Sequence, residues 1–224
     1  MQPTHQQLHL KEKNAVNTFH PVIRFVAKGI AIIFHPLFIP VYLSWFLIYI
    51  HPVLPAFTSD DKINLLVRFF VMYTMFPLVT ILLAKGLGFI HSIYLKTQKD
   101  RIIPYVACGV YYFWMWYVLH NQPEFPKVLV LLSLAIFLAS SAGLLINSFI
   151  KVSMHAISVG VMITYLILIA FTDDASFGVY LSVGLLIAGL VCTARLVTSD
   201  HSPAEVYAGL LIGIVAQLVA NFFV

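Results

Sequence analysis

Long apolar segments alternate with short polar loops along almost the whole chain. Seven such segments occur, at about residues 25–50, 63–84, 102–120, 127–147, 154–171, 176–194 and 203–223. Each is close to the length of about 20 apolar residues that an α-helix needs to cross a bilayer. Backbone polar groups in lipid must pair within the segment itself, and helices achieve this. The pattern therefore predicts an all-α, polytopic helix bundle of about seven spans.

The first apolar segment carries a strong signal for an interruption. His35-Pro36 and Pro40 lie in its middle, and proline removes a backbone donor and clashes with the preceding turn. We expect a kink or a break there, with neighbouring helices covering the freed carbonyl groups. Residues 1–23 are polar and are predicted to form a mobile tail, whereas residues 24–224 are predicted to form one transmembrane helical domain.

Composition supports a membrane location and argues against several partners. Hydrophobic residues make up 61% of the chain and charged residues 10%, far from the values of soluble domains. The net charge of +4 is spread over loop ends and forms no basic stripe, so we expect no nucleic-acid partner. Cys108 and Cys192 lie in apolar segments and are predicted to be packing residues. We expect an integral protein of a bacterial inner (cytoplasmic) membrane, of unknown oligomeric state.

Charge alternates between the loops. Acidic residues lie in loops 51–62, 121–127 and 172–176, and basic residues lie in loops 85–101, 148–153 and 195–202. Two predicted spans separate each basic loop from the next, so all three share one membrane face. The positive-inside rule, applied with the basic N-terminal end, predicts that this face and the N-terminus are cytoplasmic and that the C-terminus is outside.

The candidate chemistry lies on this basic face. Arg195, His201 and Glu205 follow one another at intervals of six and four residues. A residue and its fourth successor share a helix face, so Glu205 can hold the His201 imidazole in one tautomer, and Arg195 offers a fork for phosphate oxygens. The same face carries Lys96, Arg101, Ser153 and His155. Cations and two imidazoles can bind a phosphoryl group, attack it and protonate its leaving oxygen without a metal or cofactor.

This arrangement resembles the type 2 phosphatidic acid phosphatase (PAP2) superfamily, membrane relatives of the vanadium haloperoxidases. The third family motif, S-R-x5-H-x3-D, is matched by Ala194-Arg195-x5-His201-x3-Glu205 with alanine for serine and glutamate for aspartate. The second motif, P-S-G-H, corresponds to Val152-Ser153-Met154-His155, which keeps the serine and the histidine. The first, K-x6-R-P, is echoed by Lys96 and Arg101 with a shortened spacing and a displaced proline at Pro104.

The resemblance implies a six-helix core and a metal-independent phosphoric monoester hydrolase. It implies that His201 attacks phosphorus to form a phosphohistidine, that Glu205 orients it, and that His155 protonates the departing alcohol. Arg195, Arg101 and Lys96 would bind the nonbridging oxygens, and Ser153 would add a donor beside the first amides of its helix. The expected substrate is a phosphorylated lipid, such as phosphatidic acid, phosphatidylglycerophosphate or a polyprenyl diphosphate.

Several alternatives stay open at this level. Ser202-Pro203-Ala204-Glu205 is also a capping box, Ser153 is a good N-cap, and the lysines and Arg101 could serve only to orient the chain. The altered motifs also fit a lipid-phosphate binding or scaffold protein without turnover. A small transporter with a proton relay through His201 and Glu205 is a third candidate. His35, His51, His91 and His120 are predicted to be span-end or kink residues.

Overall fold

The described part of the chain folds into a bundle of helices. A computed structural model describes residues 19–51, 53–93, 95, 97–172, 177–198 and 201–223, with the backbone alone at residue 172. These residues form eight helices and no strand. The helices are α1 (Pro21–Ile33), α2 (Ile39–Ile50), α3 (Ser59–Gly86), α4 (Gln98–His120), α5 (Lys127–Asn147), α6 (Met154–Thr172), α7 (Gly178–Val197) and α8 (Pro203–Phe223).

Within this described part, helices α3 to α8 are each long and apolar enough to cross a membrane. Their length and composition confirm the predicted all-α polytopic fold. Helix α1 begins at Pro21, inside the segment that was predicted to be a polar tail. Residues 1–18 of that tail lie outside the described residues, so its predicted mobility stays a prediction.

The first apolar segment is broken at residues 34–38, between α1 and α2. Helix α2 has a length of about 18 Å, well short of the roughly 30 Å of a hydrocarbon core. Side chains cover three carbonyls around the break: Tyr42 Oη donates to Ile33 O at 2.9 Å, Thr74 Oγ1 to Leu37 O at 2.7 Å, and His155 Nε2 to Ala31 O at 3.0 Å. The break therefore lies at the prolines that predict it, and it ties α1 to α6.

Close packing of α6 against α8 brings two distant loops together. Gly209 and Gly213 of α8 face the backbone of α6, where a Cβ at Gly209 would lie 2.7 Å from Ser153 O and a Cβ at Gly213 would overlap Ile157 O. Small residues four apart allow such backbone approach between membrane helices. Ser153 N also donates to Glu205 O at 3.2 Å. The 148–153 loop and the 201–205 segment are therefore neighbours.

The start of α4 is anchored to the end of α5. Gln98 Nε2 donates to Asn147 O at 2.8 Å, and Asn147 Nδ2 donates to Gln98 O at 2.9 Å. Thr97 Oγ1 caps α4 by accepting a hydrogen bond from Asp100 N at 3.1 Å. The carboxylate of the buried Asp100 accepts a hydrogen bond from His91 N at 2.9 Å. These contacts fix the first turn of α4, and therefore the position of Arg101.

Candidate active site

An elongated cavity of about 730 Å³ opens at the end of the bundle where α4, α6 and α8 begin and α7 ends. Its polar end is lined by cations and imidazoles, namely Lys28, His35, Arg101, Lys151, His155, Arg195 and His201. The remainder is mostly apolar and extends past Tyr112 and Ile136. Arg101 and Tyr112 both line it and lie about 16 Å apart along α4. The cavity therefore combines a cationic end with a mostly apolar remainder.

His201 lies between a carboxylate and a guanidinium. Its Nδ1 is 2.8 Å from Glu205 Oε2, and its Nε2 is 3.3 Å from Arg101 Nη2. A guanidinium only donates hydrogen bonds, so Nε2 is the acceptor and Nδ1 carries the hydrogen that is donated to Glu205. Both contacts select the same tautomer, which leaves a lone pair on the nitrogen that faces the cations.

The buried Arg101, which is only 5% exposed, has hydrogen-bond partners in three directions. Its Nε donates to Leu95 O at 2.9 Å and its Nη1 donates to Val152 O at 2.7 Å, in addition to the contact with His201. Leu95 has a φ of +49°, an uncommon conformation for leucine. The guanidinium is therefore preorganised by the loop before α4 and by the loop before α6.

Glu205 combines the two roles that the sequence left open. Its Oε2 accepts from Ser202 N at 3.3 Å while Glu205 N donates to Ser202 Oγ at 3.4 Å, which is the reciprocal pattern of a capping box. The same Oε2 accepts from His201 Nδ1. Glu205 itself lies behind His201, outside the cavity lining, so it touches the imidazole and not the cavity.

His155 is oriented by the N-terminal part of the chain. Its Nε2 lies 3.0 Å from Ala31 O, and because a carbonyl only accepts, Nε2 carries the hydrogen. The His35 ring packs edge-on against the His155 ring with centroids 5.2 Å apart. Among the described residues, His155 Nδ1 has no hydrogen bond, and Arg195 and His201 act electrostatically on the ring from the cavity side. Nδ1 is therefore the nitrogen available for a ligand.

Of the remaining predicted site residues, one lines the cavity, one does not, and one lies outside the described residues. Arg195, at the last turn of α7, lines the cavity. Ser153 is fully buried, caps α6 by accepting from Ala156 N at 3.4 Å, and is absent from the cavity lining. Ser153 therefore has a structural role at the start of α6, where the approach of α8 covers it, and its predicted phosphate contact stays a prediction. Lys96 lies outside the described residues.

Lys28, His35 and Lys151 line the cavity, but sequence reasoning did not assign them to the site. His35 was predicted to be a kink residue, which it is, and the break itself turns it toward His155. Lys151 is the basic residue of the 148–153 loop, two positions before Ser153, and this proximity was the available signal. Lys28 is one helical turn before Ala31, and the sequence contains no signal for its position.

Burial and charge both act on His201. The imidazole is 6% exposed. Burial lowers its pKa below the ordinary value of 6.5, the hydrogen bond to Glu205 opposes this shift, and the positive charges of Arg101, Arg195 and Lys151 lower the pKa further. The neutral imidazole, which is the nucleophilic form, is therefore favoured at neutral pH.

Within the described ranges, no group of three or more histidine, cysteine or acidic side chains is arranged to hold a metal ion. No protein-family model, curated protein or solved structure matches the chain.

Proposed function

We propose that this protein is an integral-membrane lipid phosphatase of the PAP2 kind, which hydrolyses a phosphomonoester or diphosphate of a lipid through a phosphohistidine intermediate. One observation carries the proposal. The His201 Nε2 lone pair faces the Arg101 guanidinium at 3.3 Å while Nδ1 is bound to Glu205 at 2.8 Å. The proposed nucleophile is thus already in contact with the proposed orienting carboxylate and with the proposed phosphate-binding cation.

The first half-reaction uses the residues around the polar end of the cavity. Arg101 and Arg195 bind the nonbridging oxygens of the phosphoryl group, and the Arg101 contact moves from Nε2 to a phosphate oxygen. His201 Nε2 then attacks phosphorus in line, the bond from phosphorus to the ester oxygen breaks, and that oxygen keeps the electron pair. His155, which is protonated on both ring nitrogens once the phosphate dianion is bound, gives its Nδ1 proton to that oxygen and becomes neutral, while Glu205 stabilises the positive charge that develops on His201.

The second half-reaction regenerates the free histidine. His155, now neutral, removes a proton from water, whose oxygen attacks the phosphorus of phosphohistidine. The bond from phosphorus to Nε2 breaks, and inorganic phosphate leaves. Phosphatidic acid, phosphatidylglycerophosphate and polyprenyl diphosphates all have the anionic head and apolar body that the cavity lining favours.

A lipid-phosphate binding or scaffold protein is the second candidate function. It is favoured by the two residues of the second motif, since His155 Nε2 is engaged by Ala31 O and Ser153 serves as an N-cap. Such a protein would keep the cationic cavity and lack turnover.

Trapping of the intermediate separates the two functions. Purified protein in detergent, with a chelator present, should release phosphate from at least one of these lipids and form an acid-labile, base-stable phosphohistidine. His201→Ala should abolish both, a loss of at least about 10³-fold, whereas His120→Ala, exposed at the far end of α4, should retain both. Unchanged turnover in His201→Ala would refute the assigned nucleophile, and bound phospholipid without turnover in the wild type would favour the scaffold.

We also propose that the site faces the cytoplasm, as the charge of the loops predicts. Phe149 is 81% exposed in the 148–153 loop and is a suitable position for a reporter. A Phe149→Cys protein should react with a membrane-impermeant thiol reagent only after cells are opened. Labelling in intact cells would place the site on the outer face.

A further inference from the structure

Two residues outside the three motifs line the same cavity. Lys28 comes from α1 and His35 from the break that follows it. His35 Nδ1 accepts from Leu37 N at 3.3 Å, so its hydrogen is on Nε2, which has no acceptor among the described residues. Lys28 likewise has no ion pair within the described ranges. The N-terminal segment therefore adds a lysine, which is exposed, and an imidazole N–H donor to the cavity lining.

These two residues lie on the His155 side of the cavity. Ala31, one helical turn after Lys28, accepts the hydrogen bond from His155 Nε2 at 3.0 Å, and the centroid of the His35 ring is 5.2 Å from that of His155. Arg101 and Lys151 lie on the other side, since Arg101 contacts His201 at 3.3 Å and Lys151 acts electrostatically on it. Lys28 therefore lies on the side of His155, the proposed proton donor, and Arg101 and Lys151 lie on the side of His201, the proposed nucleophile.

The positive charge of the cavity lining exceeds the negative charge of one phosphate group. Lys28, Arg101, Lys151 and Arg195 line the cavity, and the described lining contains no carboxylate. A phosphomonoester carries a charge of about −1.5 to −2, which the two arginines can match. A second phosphate group on the leaving-group side would meet Lys28 and His35.

We propose that Lys28 and His35 form a second phosphate subsite and that the preferred substrate class is a lipid diphosphate. This inference rests on the proposed function. His201 Nε2 attacks the terminal phosphorus, the bond to the bridging oxygen breaks, and the lipid monophosphate leaves with the electron pair and a proton from His155. Water then releases inorganic phosphate from His201. Lys28 and His35 stabilise the departing monophosphate, whose negative charge increases as the bond breaks.

Farnesyl diphosphate and farnesyl monophosphate are matched probes, because they share one hydrocarbon chain. The wild type should show a kcat/KM at least about tenfold higher for the diphosphate. Lys28→Gln and His35→Asn should each lower the diphosphate-to-monophosphate ratio of kcat/KM by about tenfold, the value of one charge-assisted hydrogen bond. The asparagine side chain can still accept from Leu37 N. Arg24→Gln removes a charge from the same helix outside the cavity lining and should leave the ratio unchanged.

A wild-type ratio at or below one, or an unchanged ratio in both variants, would overturn the subsite while leaving the phosphatase intact. Hydrolysis of neither probe nor of any other lipid phosphate would instead overturn the proposed function. The subsite is then tested by thermal unfolding in detergent with inorganic pyrophosphate or phosphate. A larger stabilisation by pyrophosphate that Lys28→Gln removes would support it, and equal stabilisation by the two anions would overturn it.

Discussion

Arg101 and His201 are 100 residues apart in the chain, and their side chains meet at 3.3 Å between Nη2 and Nε2. Both side chains have further partners, because Arg101 also binds Leu95 O and Val152 O and His201 also binds Glu205. The two side chains therefore form a preorganised pair. In the proposed reaction, the guanidinium marks the place where a phosphate oxygen binds next to the attacking nitrogen.

Arg101→Lys should lower kcat/KM by roughly 10²–10³-fold, the usual effect of removing one preorganised donor at a transition state. Lysine keeps the charge but lacks the planar fork that reaches Leu95 O, Val152 O and His201 together. Steady-state kinetics with a lipid phosphate measure this effect. Activity within about threefold of wild type would show that charge alone suffices.

Glu205→Gln and Ser202→Ala should separate catalysis from helix capping. Glutamine retains much of the cap but cannot stabilise a positive His201, so turnover should fall by about 10²-fold or more. Ser202→Ala removes the acceptor of Glu205 N and should reduce the free energy of unfolding by about 1 kcal/mol with little change in kcat. If both variants lose activity and stability in parallel, Glu205 is only a capping residue.

The acid limb of the pH profile of kcat/KM should lie below pH 6.5, because His201 must be neutral to attack and its pKa is lowered from that value by burial and by nearby cations. Activity should persist as the pH falls to 6.5 and be lost only below it. Lys151→Gln removes one of the charges that lower this pKa, so its acid limb should move to higher pH. A limb that moves to lower pH would contradict the electrostatic account of His201.

Gly213→Ala should destabilise the bundle, because the new Cβ would overlap Ile157 O and lie 2.8 Å from Val161 N across the contact between α6 and α8. Overpacking of this kind costs about 1–3 kcal/mol. Gly189→Ala on α7 is the matched control, since nothing lies within 4 Å of its Cβ. Thermal unfolding in detergent should show a lower midpoint only for Gly213→Ala, and equal midpoints would mean that α6 and α8 can separate without cost.

The fold and part of the site follow from the sequence for identifiable reasons. Apolar segments of membrane length specify helices, because backbone groups in lipid must pair internally. His35-Pro36 and Pro40 specify a break, because proline lacks the donor that a continuous helix requires. The four-residue spacing predicted the contact between His201 and Glu205, although His201 precedes α8 and the contact forms across the start of that helix and not along one helical face. These are local properties, so a linear sequence is enough to predict them.

Tertiary structure decided the rest. The pairing of Arg101 with His201 depends on how α4 and α8 both pack against α5. The burial of Ser153 depends on the backbone approach that Gly209 permits. Lys28 and His35 reach the cavity because α1 packs beside the last turn of α7, where Ala27 contacts Ala194 and Val197. Contacts between helices that are far apart in the chain depend on which apolar helix faces pack against each other. These faces are chemically alike, so hydropathy does not distinguish one from another.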